Sequence, residues 1–253
     1  MGPRRTADEP DRGARVVTFE GLPGAVAVSH LRVYDWPTED GLRGGTPHLH
    51  LTCSEGYVVV GGTGSVQTLT VSGFRQTPLA AGSLVWFTPG TIHRLVNDEG
   101  LRIVVLMQNS GLPEAGDAVL TLPPRFLTDP DTYRAAVALP VHGSEPEQEG
   151  AARARRDLAV QGFLALRRAT EAGDTEPLAA FHRAAAALVR HRTDDWRGRW
   201  EQGAAAASRA TGDQLDALAQ GDGGHLAAAC VYAQQPSAYG KFGMCGRLDA
   251  YSA

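Results

Sequence analysis

The sequence predicts a protein that is mainly β, with an antiparallel barrel or sandwich followed by an α-helical C-terminal region. Short segments that alternate or run apolar, separated by glycine-rich turns, extend over residues 14–122, and this pattern is typical of antiparallel barrels. After a polar stretch at residues 142–150, the apolar side chains recur with the period of an α-helix. The 253 residues suffice for one large domain, or for one domain with a smaller partner.

The β region is assigned to residues 14–141. Glycines and Pro89-Gly90 separate its apolar segments, as expected for turns between short strands. The predicted strands cover residues 16–19, 25–28, 31–34, 57–60, 66–71, 83–87, 93–96 and 101–107. Residues 1–13 are rich in Pro, Asp and Arg and are predicted to be disordered.

The C-terminal region, residues 151–253, is predicted to be a small helical bundle with a tail that packs on the barrel, after a linker at residues 142–150. Helices are expected at residues 151–172, from Glu176 with Pro177 in the first turn, from a cap at Thr193 or Asp194, and at residues 211–218. One face of the second helix carries the apolar residues Leu178, Phe181, Ala185 and Leu188.

Two details of this region bear on the site. Trp196 and Trp200 lie one helical turn apart and are assigned to the core. In the glycine-rich tail, Arg247, Asp249 and Tyr251 alternate. Two interpretations of the tail stay open: it docks on the barrel as a lid, or it forms a final edge strand.

Composition excludes several classes of protein. The net charge of −4 gives no reason to expect nucleic acid or an anionic membrane as a partner. Cys53, Cys230 and Cys245 are an odd number without a CxxC pair, which argues against a disulfide framework or a zinc–cysteine site. No apolar run is long enough to span a bilayer, and no secretory signal is visible, so a cytoplasmic location is expected.

Four side chains indicate a metal site: His48, His50, Glu55 and His93. On a strand, the two-residue spacing of His48 and His50 points both imidazoles to the same face. Three imidazoles and one carboxylate can hold a divalent transition metal and leave positions open for a ligand. The other histidines have no metal-site spacing and are interpreted as surface or structural residues.

These residues resemble the two motifs of the cupin superfamily. The first motif, G(X)5HXH(X)3,4E(X)6G, is matched by His48, His50, Glu55 and Gly62, and the second, G(X)5PXG(X)2H(X)3N, by Gly82, Gly90, His93 and Asn97. The first motif's leading glycine would fall on Leu42, beside Gly41, and the proline of the second arrives one place late, at Pro89. Neither departure touches a ligand position.

The resemblance covers about residues 15–122 and implies a small antiparallel barrel of the jelly-roll type. It implies that His48, His50, Glu55 and His93 hold one divalent transition metal per chain, which is Fe, Mn, Ni, Cu, Co or Zn. Because one motif pair is present, the chain resembles a single-barrel cupin with a helical extension. Such cupins commonly dimerise through barrel strands, so a homodimer is expected.

Cupins host many reactions, so three functions stay open. The first, slightly favoured, is a dioxygenase-type oxidoreductase acting on a small organic substrate. The second is a metal-dependent sugar isomerase, epimerase or lyase, and the third is a binding module without turnover. Glu55 and Tyr57 are the candidate catalytic residues, with Glu55 able to act as a base.

The expected pocket is fairly apolar, which favours a keto or aromatic substrate. Its candidate lining residues are Tyr57, Val59, Gln67, Trp86 and Met107. A phosphorylated sugar would need a convergent pair of cations, for which Arg43 and Arg247 are candidates, whereas Arg94 should point out of the barrel because it follows His93 on a strand.

Overall fold

The computed structural model describes residues 21–251, so the predicted disorder at residues 1–13 and the predicted strand at 16–19 lie outside the described residues. The strands are β1 (Ala27–Val33), β2 (His48–His50), β3 (Glu55–Thr70), β4 (Gly73–Ala80), β5 (Leu84–Phe87), β6 (Ile92–Met107), β7 (Ala118–Leu120), β8 (Ala238–Phe242) and β9 (Gly246–Ala250). The helices are α1 (Pro130–Val137), α2 (Glu145–Glu171), α3 (Glu176–Val189), α4 (Thr193–Gln202) and α5 (Ala204–Ala219).

Two long strands organise the barrel. β3 and β6 have 16 residues each and pair antiparallel along most of their length. One end of this pair continues into a first layer, in the order β5, β3, β6, β1, β9, β8, and the other end into a second layer, in the order β4, β3, β6, β2, β7. The prediction of an antiparallel barrel followed by helices is therefore confirmed.

Glycines let the two long strands bend where they pass from one layer to the other. The β3–β6 register shifts between Val59 and Gly64, as expected for bulges. Gly62 has φ 72°, and a Cβ there would lie 2.3 Å from the Gly100 backbone, so only glycine fits. The sequence analysis was wrong to end strands at these glycines, because the segments 57–60 and 66–71 form one strand, as do 93–96 and 101–107.

Besides the three-residue strand β7, the elements β4 and α1 escaped prediction because their sequences carry little periodicity. In β4 only Leu79 is buried, and Pro78 interrupts the apolar pattern. Helix α1 is short, and it begins at a cap where the Asp129 side chain accepts hydrogen bonds from the amides of Asp131 and Thr132.

The predicted linker at residues 142–150 is wrong, because α2 begins inside it at Glu145. Ser144 and Glu147 form a capping box, and a proline lies in the first turn, so the polar residues of this stretch start a helix. The predicted caps of α4 are also wrong. A 3₁₀ turn at Arg190–Arg192 runs directly into α4, and the Thr193 hydroxyl donates to the Arg190 carbonyl.

Helices α2 and α3 cover the outer side of the second layer. Leu49, Leu69 and Ile92 of that layer share one apolar core with residues of both helices. The predicted apolar face of α3 is confirmed, since all four of its residues are buried. Because α4 buries only one side, Trp196 lies in the core and donates to the Ala115 carbonyl, whereas Trp200 is 42% exposed and its assignment to the core was wrong.

The C-terminal tail returns to the barrel as two strands. β9 pairs with β1, with Leu248 opposite Leu31, and β8 pairs with β9 at the edge of the sheet. The tail therefore extends the first layer as strands, and β9 lies inside the sheet rather than at its edge. Within residues 21–251, no helix is long and apolar enough to cross a membrane.

Candidate metal centre

The structure brings the four motif side chains together inside the barrel. His93 Nε2 lies 3.1 Å from His48 Nε2 and 3.0 Å from Glu55 Oε2. Glu55 Oε2 is also 3.4 Å from His50 Nε2. One ligating atom from each of the four residues can be chosen so that all lie within 4.8 Å of one another, and all four side chains are buried.

Strand pairing explains this convergence. His48 lies directly opposite His93 in the β2–β6 pair, and two-residue alternation places His50 on the same face as His48. Glu55 opens β3 after a bend at residues 51–54. The histidines come from the second layer and Glu55 from the first, so the cluster joins the two layers.

Each imidazole is oriented by a hydrogen bond at Nδ1, the ring nitrogen that faces away from the cluster. His48 Nδ1 donates to the Thr46 carbonyl at 2.8 Å, and His93 Nδ1 donates to the Thr91 carbonyl at 3.2 Å. Because a carbonyl only accepts, the proton of each neutral ring sits on Nδ1 and the Nε2 lone pair faces the cluster. Such outer hydrogen bonds are those that orient histidine ligands in metal sites.

The donor set fits a transition metal. Bonds of about 2.1 Å place neighbouring ligand atoms about 3.0 Å apart at right angles and about 3.4 Å apart at the tetrahedral angle. The separations of 3.0, 3.1 and 3.4 Å match those values. Buried Glu55 Oε2 has no hydrogen-bond partner among the described residues. When the imidazoles are neutral, the carboxylate oxygen and the Nε2 lone pairs face one another without a donor between them, and a bound cation would remove this unfavourable contact.

Electrostatics within the cluster agree with this interpretation. Although burial raises it, the interactions with His93 and His50 hold the pKa of Glu55 well below its ordinary value, so the carboxylate is ionised. Burial and the neighbouring imidazoles keep the pKa of His48 well below its ordinary value. Burial lowers the pKa of His50, but the hydrogen bond to Asp117 and the neighbouring Glu55 carboxylate raise it to about 9, so a proton competes with a metal for this ligand.

Asp117 is a site residue that the sequence analysis missed. Its carboxylate is fully buried and lies 3.2 Å from His50 Nδ1. It also accepts hydrogen bonds from the amides of Leu51, Thr52 and Cys53, so it fixes the bend between the histidine strand and Glu55. Asp117 belongs to neither motif, and its only sequence signal is a carboxylate directly before the short apolar strand β7.

Tyr57, a candidate catalytic residue, lies on β3 two residues after Glu55 and is fully buried. Its ring centroid is 6.3 Å from that of His93, and its hydroxyl has no hydrogen-bond partner among the described residues. Burial, together with the Glu55 charge, raises the pKa of Tyr57 well above its ordinary value. The phenol is therefore a protonated donor beside the cluster.

A cavity of about 270 Å³ adjoins the cluster and includes His48, His50 and Glu55 in its wall. Strand β1 and the tail supply apolar side chains to it, among them Leu31 and Leu248, and Tyr251 lies beside them. No Lys or Arg lines this cavity in the part of the chain that the structure describes.

Of the predicted pocket residues, only Met107 lines this cavity. Val59 and Tyr57 are buried in the core of the barrel, and Gln67 is buried and donates to Gln76 Oε1. The assignment of Trp86 was wrong, because its side chain is 68% exposed on the outer face of β5.

The predicted cation pair does not line the cavity either. Arg43 is exposed, and Arg247 forms an ion pair with Glu145 and lies over the Phe242 ring. Arg94 belongs to a separate ion pair with Asp40, away from the cavity.

No protein-family model matches the chain, and no match was found among curated proteins. Solved structures similar to it include a Streptomyces PAC13 variant with uridine, at 17% identity, a TM-score of 0.30, and coverage of 40% of this chain and 70% of that one. A TDP-fucose-3,4-ketoisomerase from Campylobacter jejuni is 9% identical, with a TM-score of 0.30 and coverage of 36% and 64%. A cupin protein from Bacteroides fragilis is 18% identical, with a TM-score of 0.25 and coverage of 34% and 65%.

The shared region is under half of this chain in each case. What the strand pairing of this chain shows is an antiparallel barrel, inside which the four motif residues converge.

Proposed function

We propose that the chain is a mononuclear metal-dependent enzyme of the cupin type that acts on a small organic molecule. The observation that carries the proposal is the arrangement of His48, His50, Glu55 and His93. Their ligating atoms approach to 3.0–3.4 Å with lone pairs facing one another, and each imidazole is fixed through its other nitrogen. A cluster so buried and so poor in donors suits a divalent cation.

The ligand set of three imidazoles and one carboxylate is compatible with Fe, Mn, Ni, Cu, Co or Zn. When bound, such an ion supplies Lewis acidity, and a redox-active one also supplies the capacity to activate dioxygen. Four protein ligands leave two positions of an octahedron for a substrate with two oxygen donors, such as an enediol, a β-diketone or a hydroxy acid.

The walls of the cavity support a largely apolar substrate. Leu31, Val105, Met107 and Leu248 are among its lining residues, and no Lys or Arg of the described residues lines it. A small apolar chelator fits this environment better than a phosphorylated sugar, because a buried phosphate requires cationic partners. This favours the dioxygenase-type oxidoreductase, with Glu55 holding or accepting the substrate proton.

One observation favours the alternative, a metal-dependent isomerase, epimerase or lyase. The buried Tyr57 hydroxyl, close to the Glu55 charge, has no hydrogen-bond partner among residues 21–251, and a phenol next to a carboxylate is a suitable acid–base pair for moving a proton. The third possibility, a binding module without turnover, retains the same ligand cluster.

Elemental analysis of protein purified without chelator or metal-affinity resin tests the metal centre. We expect about one transition metal per chain, lost in His48→Ala and in His93→Ala. His142→Ala is the matched control, because His142 is exposed and outside the cluster, and it should retain the metal.

Absence of metal from the wild-type protein, with unchanged folding of the two ligand variants, would contradict the metal centre. Where metal is found, dioxygen uptake with catechols and β-diketones separates the functions. Uptake that depends on His93 supports the oxygenase, whereas proton exchange into a ketose without dioxygen uptake, lost in Tyr57→Phe, supports the isomerase.

We also propose that the protein is a homodimer formed through the outer face of the first layer. No helix of the described residues covers this face, on which Val60, Leu84, Trp86 and Leu106 are exposed. An apolar sheet face of this kind is a candidate interface. Light scattering should give twice the mass of the chain for the wild-type protein, and the mass of one chain for Trp86→Glu.

A further inference from the structure

A second cavity, of about 580 Å³, lies between the barrel and the helices. Its walls come from β7 and from α1, α2 and α3, with the turn at Arg190–Arg192 at one side. Pro113 and Met244 border both this cavity and the metal cavity. The two cavities are therefore neighbours that share these two lining residues.

The charges around the second cavity are of one sign. Its basic lining residues are Arg134, Arg155, His191 and Arg192, and no Asp or Glu of residues 21–251 lines it. Arg134 has an ion pair with Asp131. Among the described residues, neither Arg155 nor Arg192 has an acidic partner within ion-pair distance.

Arg155 is the cation on which the inference depends most. Its guanidinium donates to the Val137 carbonyl at 3.1 Å and to the Gly243 carbonyl at 2.9 Å, and its Nε has no acceptor among the described residues. Burial lowers the pKa of Arg155, yet a guanidinium stays charged in proteins. A half-buried charge without a counter-ion costs free energy, and an anion in the cavity would reduce that cost.

Tyr133 adds a neutral donor on the same wall. Its hydroxyl oxygen accepts a hydrogen bond from the Leu120 amide at 3.0 Å, and its own proton has no acceptor in the part of the chain that the structure describes, so it can be donated to a ligand in the cavity. Burial raises the pKa of Tyr133 to about 12, and the phenol is therefore protonated at neutral pH. A phenol and guanidinium groups are the donors that oxyanions accept from in proteins.

We infer that this cavity binds a small molecule that carries an oxyanion, a carboxylate or a phosphate, on an apolar body. Arg155, Arg192 and Tyr133 receive the anion, and the apolar walls at Val119, Leu120, Val137, Leu188 and Val189 receive the body. The volume lies in the range of small-molecule sites. The site is separate from the metal centre, and its ligand is not the substrate proposed there.

Calorimetry on the metal-loaded full chain tests this inference with inorganic phosphate, hexanoate and hexan-1-ol at one ionic strength set by chloride. We expect saturable binding of phosphate or of hexanoate, whichever oxyanion the site takes, and none of hexan-1-ol. Arg192→Met should weaken that binding about tenfold or more, because a charge-assisted contact is lost. Arg75→Met, which removes an exposed arginine outside the cavity, is the matched control and should bind as the wild type does.

Arg192 is the first choice for substitution because, unlike Arg155, it makes no hydrogen bond to a carbonyl in the described structure, so folding should persist. Tyr133→Phe is a second variant and should weaken binding several-fold. The inference is overturned if neither anion binds saturably. It is equally overturned if Arg192→Met and Tyr133→Phe both bind with wild-type affinity, since the anion would then lie elsewhere.

Discussion

Two neighbouring residues of β6 illustrate how a structural cluster differs from a functional one. His93 and Arg94 are both fully buried, but they face opposite sides of the strand. Arg94 donates to Asp40 at 2.6 and 3.1 Å and to the Thr38 hydroxyl at 2.7 Å. His93, by contrast, directs a lone pair at His48 and Glu55, which also present lone pairs.

The difference lies in whether donors meet acceptors. The Arg94 cluster pairs one positive with one negative group, and nearly every hydrogen-bond donor in it has an acceptor. Its charges and hydrogen bonds are therefore balanced without a ligand. When its imidazoles are neutral, the His93 cluster has acceptors without donors, so it needs a bound cation, which is either a metal ion or a proton on His50. Burial alone therefore does not distinguish the two, whereas hydrogen-bond complementarity does.

Metal removal should have the largest effect on stability, and it acts on the His93 cluster alone. With free metal at a thousand times its Kd, binding stabilises the folded state by about 4 kcal/mol. Chemical denaturation of the loaded and the chelator-treated protein measures this difference. Equal unfolding midpoints for both forms would show that the folded protein gains no stability from a metal ion at the His93 cluster, as the Arg94 cluster gains none.

Asp40→Asn should lower the free energy of unfolding by about 3 kcal/mol, because it leaves the buried Arg94 charge without its partner. Metal content per folded chain should not change. Asp249→Asn is the matched control: Asp249 pairs with Arg32, whose side chain is half exposed, and such pairs contribute about 1 kcal/mol or less. A loss of metal in Asp40→Asn would mean that the two clusters are not independent.

Asp117→Asn should weaken metal binding about tenfold to a hundredfold, because His50 loses the carboxylate that orients it and strengthens it as a ligand. Competition with a chelator of known affinity measures the change. Asp40→Asn makes the same chemical change in the other cluster and should leave the affinity for metal as it is. Equal affinities for metal in the two variants would show that Asp117 does not contribute to metal binding.

Acid should weaken the Arg94 cluster by a smaller amount. Burial raises the pKa of Asp40, but hydrogen bonds from Arg94 and Thr38 lower it to about 2, below the value of 3.8 that a free carboxyl has. The stabilisation is thus complete above pH 3.8 and is lost as the pH falls through 2. Between pH 6 and pH 3, the difference in unfolding free energy between wild type and Asp40→Asn should narrow by about 1 kcal/mol.

The strand-rich region and the common face of His48 and His50 follow from local rules, because the two-residue spacing fixes a face and Gly82 and Gly90 mark turns. The helical face of α3 is readable for the same reason, because four apolar residues recur with the period of the helix. The convergence of Glu55 and His93 with this pair was instead implied by the resemblance to the cupin motifs.

Other features depend on contacts between distant segments, which leave no local pattern. Asp117 reaches His50 across 67 positions of the sequence, and the second cavity forms only where β7 meets three helices. The exposure of Trp86 was missed because an alternating strand shows which residues share a face, but not which face a neighbouring element covers. For the same reason, the sequence did not distinguish Trp196 from Trp200.

The pairing of β1 with β9 sets an order of events during synthesis. Arg32 and its partner Asp249 are 217 positions apart, so a ribosome must translate nearly all of the described chain before the wall formed by Leu248 and Tyr251 can be added. Contacts of such sequence separation are slow to form. During synthesis, β2, β3 and β6 are therefore complete before the tail exists, and the wall at Leu248 and Tyr251 can close the cavity only after the tail has been made.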